Sequence, residues 1–437
     1  MSQLASANNH ISAEETARIF VGLLFISAEQ MDEPLREISE NWEDGYTPML
    51  IELMSLSQAE RARLFLGLLQ NKTGNNLGLD TNQWLSWWWQ QEQAQVPGYA
   101  AFKSSLYGLI DARFRDYFGT NRESRIRLDE VRWGGVHQDG IPPLRQPKML
   151  AAAEAHYLED SNIVFGIEIN GDARAYPKRI LAWHEMFVDE IGGTSFAGVY
   201  CTLCGAVILY KTNHNGIAHE LGTSGFLYRS NKLMYDKATQ SLWNTTWGEP
   251  VIGPLVGRGI RLERSFLVTT TWGEWKRRHP RSKVLSLETG YSRDYEEGVA
   301  YQQYFATDEL MFSISTSDNR LPNKEEVLAL IFPDYSDDTM AISANFLQNR
   351  PIYVNRLGSL KFIVLTDSSG ANRVYEAKEH SFTSYDQDIT VIDSEGIKWK
   401  LSEDKLKTDD LELARLPAHR AFWFGWHAAF PDTQLIK

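Results

Sequence analysis

Cysteine is almost absent from this chain: it has two in 437 residues, Cys201 and Cys204. A structural zinc site normally draws on two C-x-x-C pairs, and only one pair exists here. Cations are in deficit, with 44 Lys and Arg against 57 Asp and Glu, a formal net charge of -13. Without a basic stripe the chain is a poor partner for nucleic acid, and weakly so for an anionic membrane surface. Long apolar runs are missing too. The run Ile19 to Ile26 falls short of the ~18 residues that span a bilayer. Acidic Glu14 and Glu15 precede it, where a signal peptide would be basic. The run reads as the buried face of a helix. The chain as given reads as cytoplasmic, or as exported if an upstream signal was removed. Nucleotide motifs are lacking: Gly253 to Gly259 has neither the spacing nor the helix context of a dinucleotide loop. Ser224 is not a nucleophile elbow, because Phe226 stands where the second Gly is required.

What is present is apolar bulk and tryptophan. Hydrophobic residues make up 43% of the chain, with 14 Trp. The length suggests two or three domains with sizeable cores, and each Trp is expected in a core. Residues 1 to about 10 read as a disordered start. From Ser12 to about Phe118 the apolar spacing is helical. Ser12-Ala-Glu-Glu15 fits a capping box, and five helices are expected, over Arg18–Ala28, Thr47–Leu56, Ser57–Gln70, Thr81–Gln93 and Gly98–Tyr117. The block Trp84, Trp87, Trp88, Trp89 is expected to pack against the following domain, with an exposed docking surface as the alternative.

From about Ile126 short β-rich runs follow one another, including Ile163–Ile169, Phe196–Tyr200, Val207–Tyr210, Lys361–Leu365 and Ile389–Ile392. Asn170-Gly171 is a hairpin signal. The class is α+β: an all-helical domain over 1–120, a first β-rich lobe over 121–300, and a second, degenerate lobe over 301–437. The lobes read as related. Trp272, Trp275, Pro280, Val284 and Leu285 recur with identical spacing as Trp423, Trp426, Pro431, Leu435 and Ile436. Asp236–Trp243 resembles Asp393–Trp399. These pairs imply a duplicated unit of roughly 110 to 130 residues. A shared core survives in both copies, whereas a site can survive in one. By that logic the paired Trp and Pro positions are structural, and Cys201, Cys204 and His184 are special to the first lobe.

Tyr200-Cys201-Thr-Leu-Cys204-Gly205 follows a strand and enters a turn. Two thiols at that spacing can grip one metal ion or form a redox pair, or be two buried, inert thiols. His184 would complete a three-ligand set with an open position, and Met234 would add a thioether, a set that suits copper. A single copper, zinc or iron ion is therefore the expected cofactor. Glu185 and Asp236 are candidate harder ligands or partners of His184. Arg174 is a candidate carboxylate binder, with a structural salt bridge equally open.

Several stretches in order, GIEINGDARAYPKRILAWHE, VYCTLCGAVILY, GTSGFLYRSNKLMYDKATQSLW and FWFGWHAAFPDTQL, resemble the family known as domain of unknown function 3179. The resemblance covers about Ile126 to Lys437. The family's motif resembles Y-C-P-L-C-G, and here Thr202 replaces the proline while both thiols remain. Membership implies a fold family and a site region rather than a reaction, and export for many relatives.

The leading expectation is a metal-binding or thiol-redox protein, leaning towards an enzyme, an oxidoreductase among the options. Its catalytic set is Cys201, Cys204, His184, Glu185 and Asp236; its metal ligands are Cys201, Cys204, His184 and Met234. Arg174, Tyr176, Ser224, Tyr228, Tyr235 and Trp243 would line the pocket of a small molecule. The alternative is a binding or scaffold protein with a ligand cleft between the lobes, the helical domain recruiting a protein partner. A glycan-processing protein ranks last, since nothing in the sequence fixes a pair of carboxylates.

Overall fold

A computed structural model describes residues 12–91, 98–119 and 121–437. The expected disordered start lies outside the described residues. The N-terminal region is helical, with helices Ala13–Gly22, Asp32–Glu40, Tyr46–Ser55, Ala59–Thr73, Thr81–Trp88 and Tyr99–Tyr107. The Ser12 hydroxyl accepts from the Glu15 amide at 3.1 Å, one half of the expected capping box, while the Glu15 carboxylate takes Arg18 instead and the helix ends at Gly22, short of the expected Ala28. Two further expectations need correction. Asp32–Glu40 is a helix not expected from the sequence: Pro34, Leu35 and Ile38 are its apolar residues and only Ile38 of it is buried, so its apolar stripe is narrow. The single helix over Gly98–Tyr117 is two pieces, Tyr99–Tyr107 and a short 3-10 turn Ala112–Asp116. The Arg115 side chain packs on Gly108 at the bend.

The tryptophan block faces inward. Trp84, Trp88 and Trp89 are buried. The Trp88 indole donates to Asp129 at 2.8 Å and the Trp84 indole to the Gly78 carbonyl at 2.8 Å. The helices join the β-rich part through Phe226, whose ring meets Phe114 at 4.9 Å, Tyr107 at 5.1 Å and Phe118 at 5.1 Å. Buried Lys103 adds a polar tie, donating to Glu52 at 2.7 Å and to the Val131 carbonyl at 2.8 Å.

Two sets of strands follow, called the first and second lobes below. In the first, strands Ile163–Ile169 and Asp172–Pro177 form a hairpin, and Asn170 and Gly171 both have positive φ, as its turn requires. Helix Lys178–His184 leads to strands Met186–Ile191, Thr194–Cys201 and Ala206–Lys211. An antiparallel meander, Leu221–Tyr228, Asn231–Asp236, Leu242–Asn244 and Glu249–Ile252, comes next. The lobe closes with strand Val268–Thr271, helix Trp272–Arg278 and strand Lys283–Leu285.

The second lobe runs through the same order. Hairpin Glu326–Ile331 and Thr339–Ser343 is followed by helix Ala344–Gln348 and strands Ile352–Leu357, Leu360–Thr366 and Asn372–Glu376. A meander from Phe382 to Lys407 leads to strand Ala418–Phe422, helix Trp423–Ala429 and strand Gln434–Ile436. In each lobe the strand after the helix pairs parallel to the hairpin's second strand, and the strand before it pairs antiparallel to the first. The paired tryptophans hold matching places. The Trp275 indole donates to the Ser282 hydroxyl at 2.9 Å, and the Trp426 indole donates to the Thr433 hydroxyl at 2.9 Å. Among the described residues, no helix is long and apolar enough to cross a membrane.

Candidate functional site

Strand Thr194–Cys201 and strand Ala206–Lys211 pair with Cys201 opposite Ala206, so the C-x-x-C segment is the turn between them. Both strands are buried on both faces, continuously from Phe196 to Cys201 and from Ala206 to Tyr210, and they bury the turn with them. Cys201 and Cys204 are joined in a disulfide, their Cα atoms 5.5 Å apart, and both are buried. The bridge sits against the second lobe. The Cys204 carbonyl accepts from the Phe422 amide at 2.8 Å. A Cβ on Gly425 would stand 2.5 Å from the Cys204 Cβ, so only glycine lets the helix Trp423–Ala429 rest there. The Tyr304 hydroxyl closes the other side, donating to the Leu203 carbonyl at 2.7 Å.

His184 ends the helix Lys178–His184 and is fully buried. Its Nδ1 lies 2.9 Å from the Pro142 carbonyl and its Nε2 2.6 Å from the Tyr295 hydroxyl. A carbonyl can only accept, so Nδ1 carries the proton and Nε2 accepts from Tyr295. Burial lowers the pKa of His184 and keeps it neutral. Both nitrogens are therefore engaged. Met234 lies on strand Asn231–Asp236 opposite Trp243 and is buried in an apolar cluster with Leu221 and Ile208.

The four-ligand set expected from the sequence is thus not assembled. The two sulfurs are bonded to each other, and a metal ligand needs a thiolate. His184 has no free nitrogen. Among the described residues, no group of three or more His, Cys, Asp or Glu side chains is arranged to hold a metal ion.

The remaining candidates are distributed through the first lobe. Arg174 spends its guanidinium on Asp172 at 2.7 Å and Asp189 at 2.6 Å, the structural role. Tyr176 donates to the same Asp189 at 2.8 Å and stacks on Phe187 at 3.8 Å. Ser224 donates to the Leu233 carbonyl at 2.6 Å and accepts from the Phe226 amide at 3.0 Å. Those bonds fix the irregular pairing between Thr223 and Leu227. Tyr235 donates to Asp139 at 2.5 Å, and Tyr228 packs edge-on against Trp247 at 6.0 Å. Asp236 takes His219 at 3.1 Å, and the His219 ring meets Trp243 at 5.0 Å.

Glu185 alone of the carboxylates proposed for catalysis lies beside the cysteine strand. Its backbone has φ 55°, a left-handed conformation, and its carbonyl accepts from the Tyr200 amide at 2.9 Å. Its carboxylate pairs with buried Lys232 at 2.9 Å. Burial lowers the Lys232 pKa, and the Glu185 charge opposes that shift.

A hollow that the residue-level reading did not locate runs between the lobes. One part, of about 590 Å³, has Arg125, Trp247, Glu249, Arg261 and Arg264 on one wall and Ile331, Pro333, Asp334 and Pro417 on the other. A neighbouring part of about 520 Å³ shares Glu263, Arg264, Ile331, Pro333, Asp334 and Pro417, so the two lie side by side along the same seam. Most of its residues, Arg125, Trp247, Arg261, Arg264, Pro333 and Asp334 among them, come from loops and strand ends outside the motifs, which is why the sequence did not point to them.

The family model described as protein of unknown function (DUF3179) matches residues 138–433. The chain belongs to that family. The DUF3179 match takes in the cysteine turn, both tryptophan helices and most of the cleft, and leaves the N-terminal helices outside. No curated protein and no solved structure matches the chain significantly.

Proposed function

We propose that this DUF3179 protein binds a small molecule in the cleft between its lobes, with the Cys201–Cys204 bridge as a clamp in the lobe contact. The observation that carries this reading is the hollow of about 590 Å³ walled by both lobes. Ligand sites are concave, mostly of 300–1,000 Å³ (roughly), and favour the seam between two packed units. The cysteines, by contrast, lie in an apolar core and line neither part of that hollow. We read the matched strand order of the lobes as a duplicated unit whose seam became the cleft. A thermal-shift screen of small molecules tests the proposal, on wild type and on Asp334→Trp, which fills the cleft. A compound that raises the melting temperature of wild type but not of the filled variant supports it. Equal shifts in both proteins would sink it.

A second reading, thiol redox, is favoured by the bridge itself, closed across two residues at a C-x-x-C. A partner dithiol would supply two electrons and two protons, through a mixed disulfide, and leave with its own disulfide. Counting thiols on the folded protein in dithiol buffers tests it. Reduction that occurs only in denaturant would dismiss the reading. A persistent bridge also favours an oxidising compartment over the cytoplasm, the exported branch of the sequence expectation.

A further inference from the structure

One wall of the cleft carries more arginines than carboxylates to pair with them, although the chain as a whole is acidic. Three arginines, Arg125, Arg261 and Arg264, stand on the first-lobe wall of a protein whose net charge is -13. Their partners do not balance them. Glu249 alone serves two: Arg125 binds one of its oxygens, and Arg261 Nε donates to the other at 2.6 Å. Glu263 on the same wall is taken by Lys211 at 2.5 Å. Arg264 donates to the Thr246 carbonyl, a neutral group, and among the described residues has no carboxylate within ion-pair distance. Two guanidinium groups thus share one carboxylate and Arg264 has none, so the wall carries a surplus of positive charge that Asp334 offsets only in part. Asp334 faces them across the cleft.

The rest of the lining is apolar and aromatic. Trp247 is held by its indole N–H, 3.4 Å from the Ala429 carbonyl, and by the edge of Tyr228. Phe430, Ile331, Pro333 and Pro417 continue the surface. Arg125 and Arg261 keep 48% and 54% of their side chains exposed, so their donors are within a ligand's reach. A guanidinium offers a planar fork of N–H donors matched to carboxylate, sulfonate or phosphate oxygens.

We propose that the cleft selects a small anion carrying an apolar or aromatic body. The acidic head lies against Arg261 and Arg264, and the body against Trp247 and Phe430. This inference rests on the reading of the cleft as the ligand site and adds the chemical class.

A matched pair of fluorescent probes separates the two claims. Anilinonaphthalene sulfonate carries the anion and N-phenyl-1-naphthylamine the same body without it. Titrated into the full chain, the sulfonate is expected to bind at least about 10-fold more tightly and to weaken as salt rises. Arg264→Gln should reduce its affinity about 10- to 100-fold and leave the neutral probe unchanged, with Arg264→Lys losing less. Arg261→Gln, at a half-exposed position where Glu249 keeps Arg125, provides the same readout if Arg264→Gln does not fold. Equal affinity for both probes in wild type, both abolished by Asp334→Trp, would overturn the anion inference and leave the cleft reading standing. Binding of either probe that survives Asp334→Trp, or no binding of either, would overturn both.

Discussion

The two lobes solve one mechanical problem with different chemistry. In each, a short turn after a buried strand is pressed against the other lobe near its tryptophan helix. In the first lobe the turn is closed by a covalent bond, Cys201 to Cys204, and docks on Phe422 and Gly425. The corresponding turn of the second lobe, residues 367–371, is closed by a carboxylate. Asp367 accepts from the Ser369 amide at 2.9 Å, the Ala371 amide at 3.1 Å and the Ser369 hydroxyl at 2.7 Å. Its other oxygen takes buried Arg373 at 2.7 Å and lies 3.7 Å from Arg278, at the end of the first lobe's tryptophan helix. Glu403 completes the chain, bound to Arg373 at 2.8 Å and Arg415 at 3.0 Å. One lock is sensitive to reductant and the other to acid. A cysteine pair that occupies the place of an ionic lock reads first as a lock.

The matched frame makes the largest prediction. Trp275 and Trp426 are both buried and both donate to a hydroxyl at the same place in their lobes. Replacing either with Ala should cost about 3–5 kcal/mol, measured by urea unfolding. The two costs should agree within about 1 kcal/mol. In the first lobe a Cβ on Gly166 would lie 2.3 Å from the Trp275 ring, so the strand leaves no slack there. A loss at one position only would break the equivalence of the lobes.

Next is the acid lock. Burial alone would raise the pKa of Glu403, but the Arg373 charge, His279 and the Arg415 charge override it and hold the carboxyl well below its usual 4.5. A folded pKa below the unfolded one gives stability that is complete above about 4.5 and is lost as pH falls through the depressed value. The melting temperature should therefore fall on acidification below about pH 4.5. Glu403→Gln should flatten that fall and cost about 3 kcal/mol at neutral pH, because buried Arg415 loses its carboxylate and Arg373 keeps only Asp367. An unchanged acid profile in Glu403→Gln would remove Glu403 from the lock.

Much of the frame was legible in the residues, because periodicity and turn chemistry act locally. Ser12 capped its helix, Asn170-Gly171 made its hairpin, and the spacing of Trp272 and Trp275 against Trp423 and Trp426 marked two helices that stand in matching places. The reach of that logic ended where geometry depends on partners distant in sequence. His184 and Cys201 are near in sequence, yet the His184 nitrogens are claimed by Pro142 and Tyr295. Arg174 resembles a ligand binder on paper, but Asp172 and Asp189 take it first. The cleft was expected between the lobes but not by residue, because Arg125, Trp247, Arg264 and Asp334 share no motif and meet only in the folded chain.

A smaller effect separates a clamp from a catalyst at the cysteine turn. The bridge closes a loop of only a few residues, so chain entropy assigns it about 2 kcal/mol. Cys201→Ala with Cys204→Ala should lower stability by about that amount while leaving probe binding in the cleft intact. Reductant should have no effect on the double variant. If binding is lost while the fold is retained, the bridge belongs to the site and the comparison with Asp367 fails.

The finest test concerns single hydrogen bonds. Ser282 and Thr433 accept the indole protons of Trp275 and Trp426, each at 2.9 Å. Removing the acceptor leaves a buried N–H without a partner, a penalty of about 1–3 kcal/mol. Thr433→Val keeps the side-chain volume and isolates that penalty, so about 1 kcal/mol is expected by urea unfolding. Ser282→Ala should cost somewhat more. The single Ser282 hydroxyl proton is shared between the Lys283 carbonyl at 2.9 Å and the Ala173 carbonyl of the hairpin at 3.2 Å, bonds that are lost with it. A larger cost for Thr433→Val than for Ser282→Ala would show that the second lobe depends more heavily on its indole bond, and that the lobes share topology without sharing how they distribute their stability.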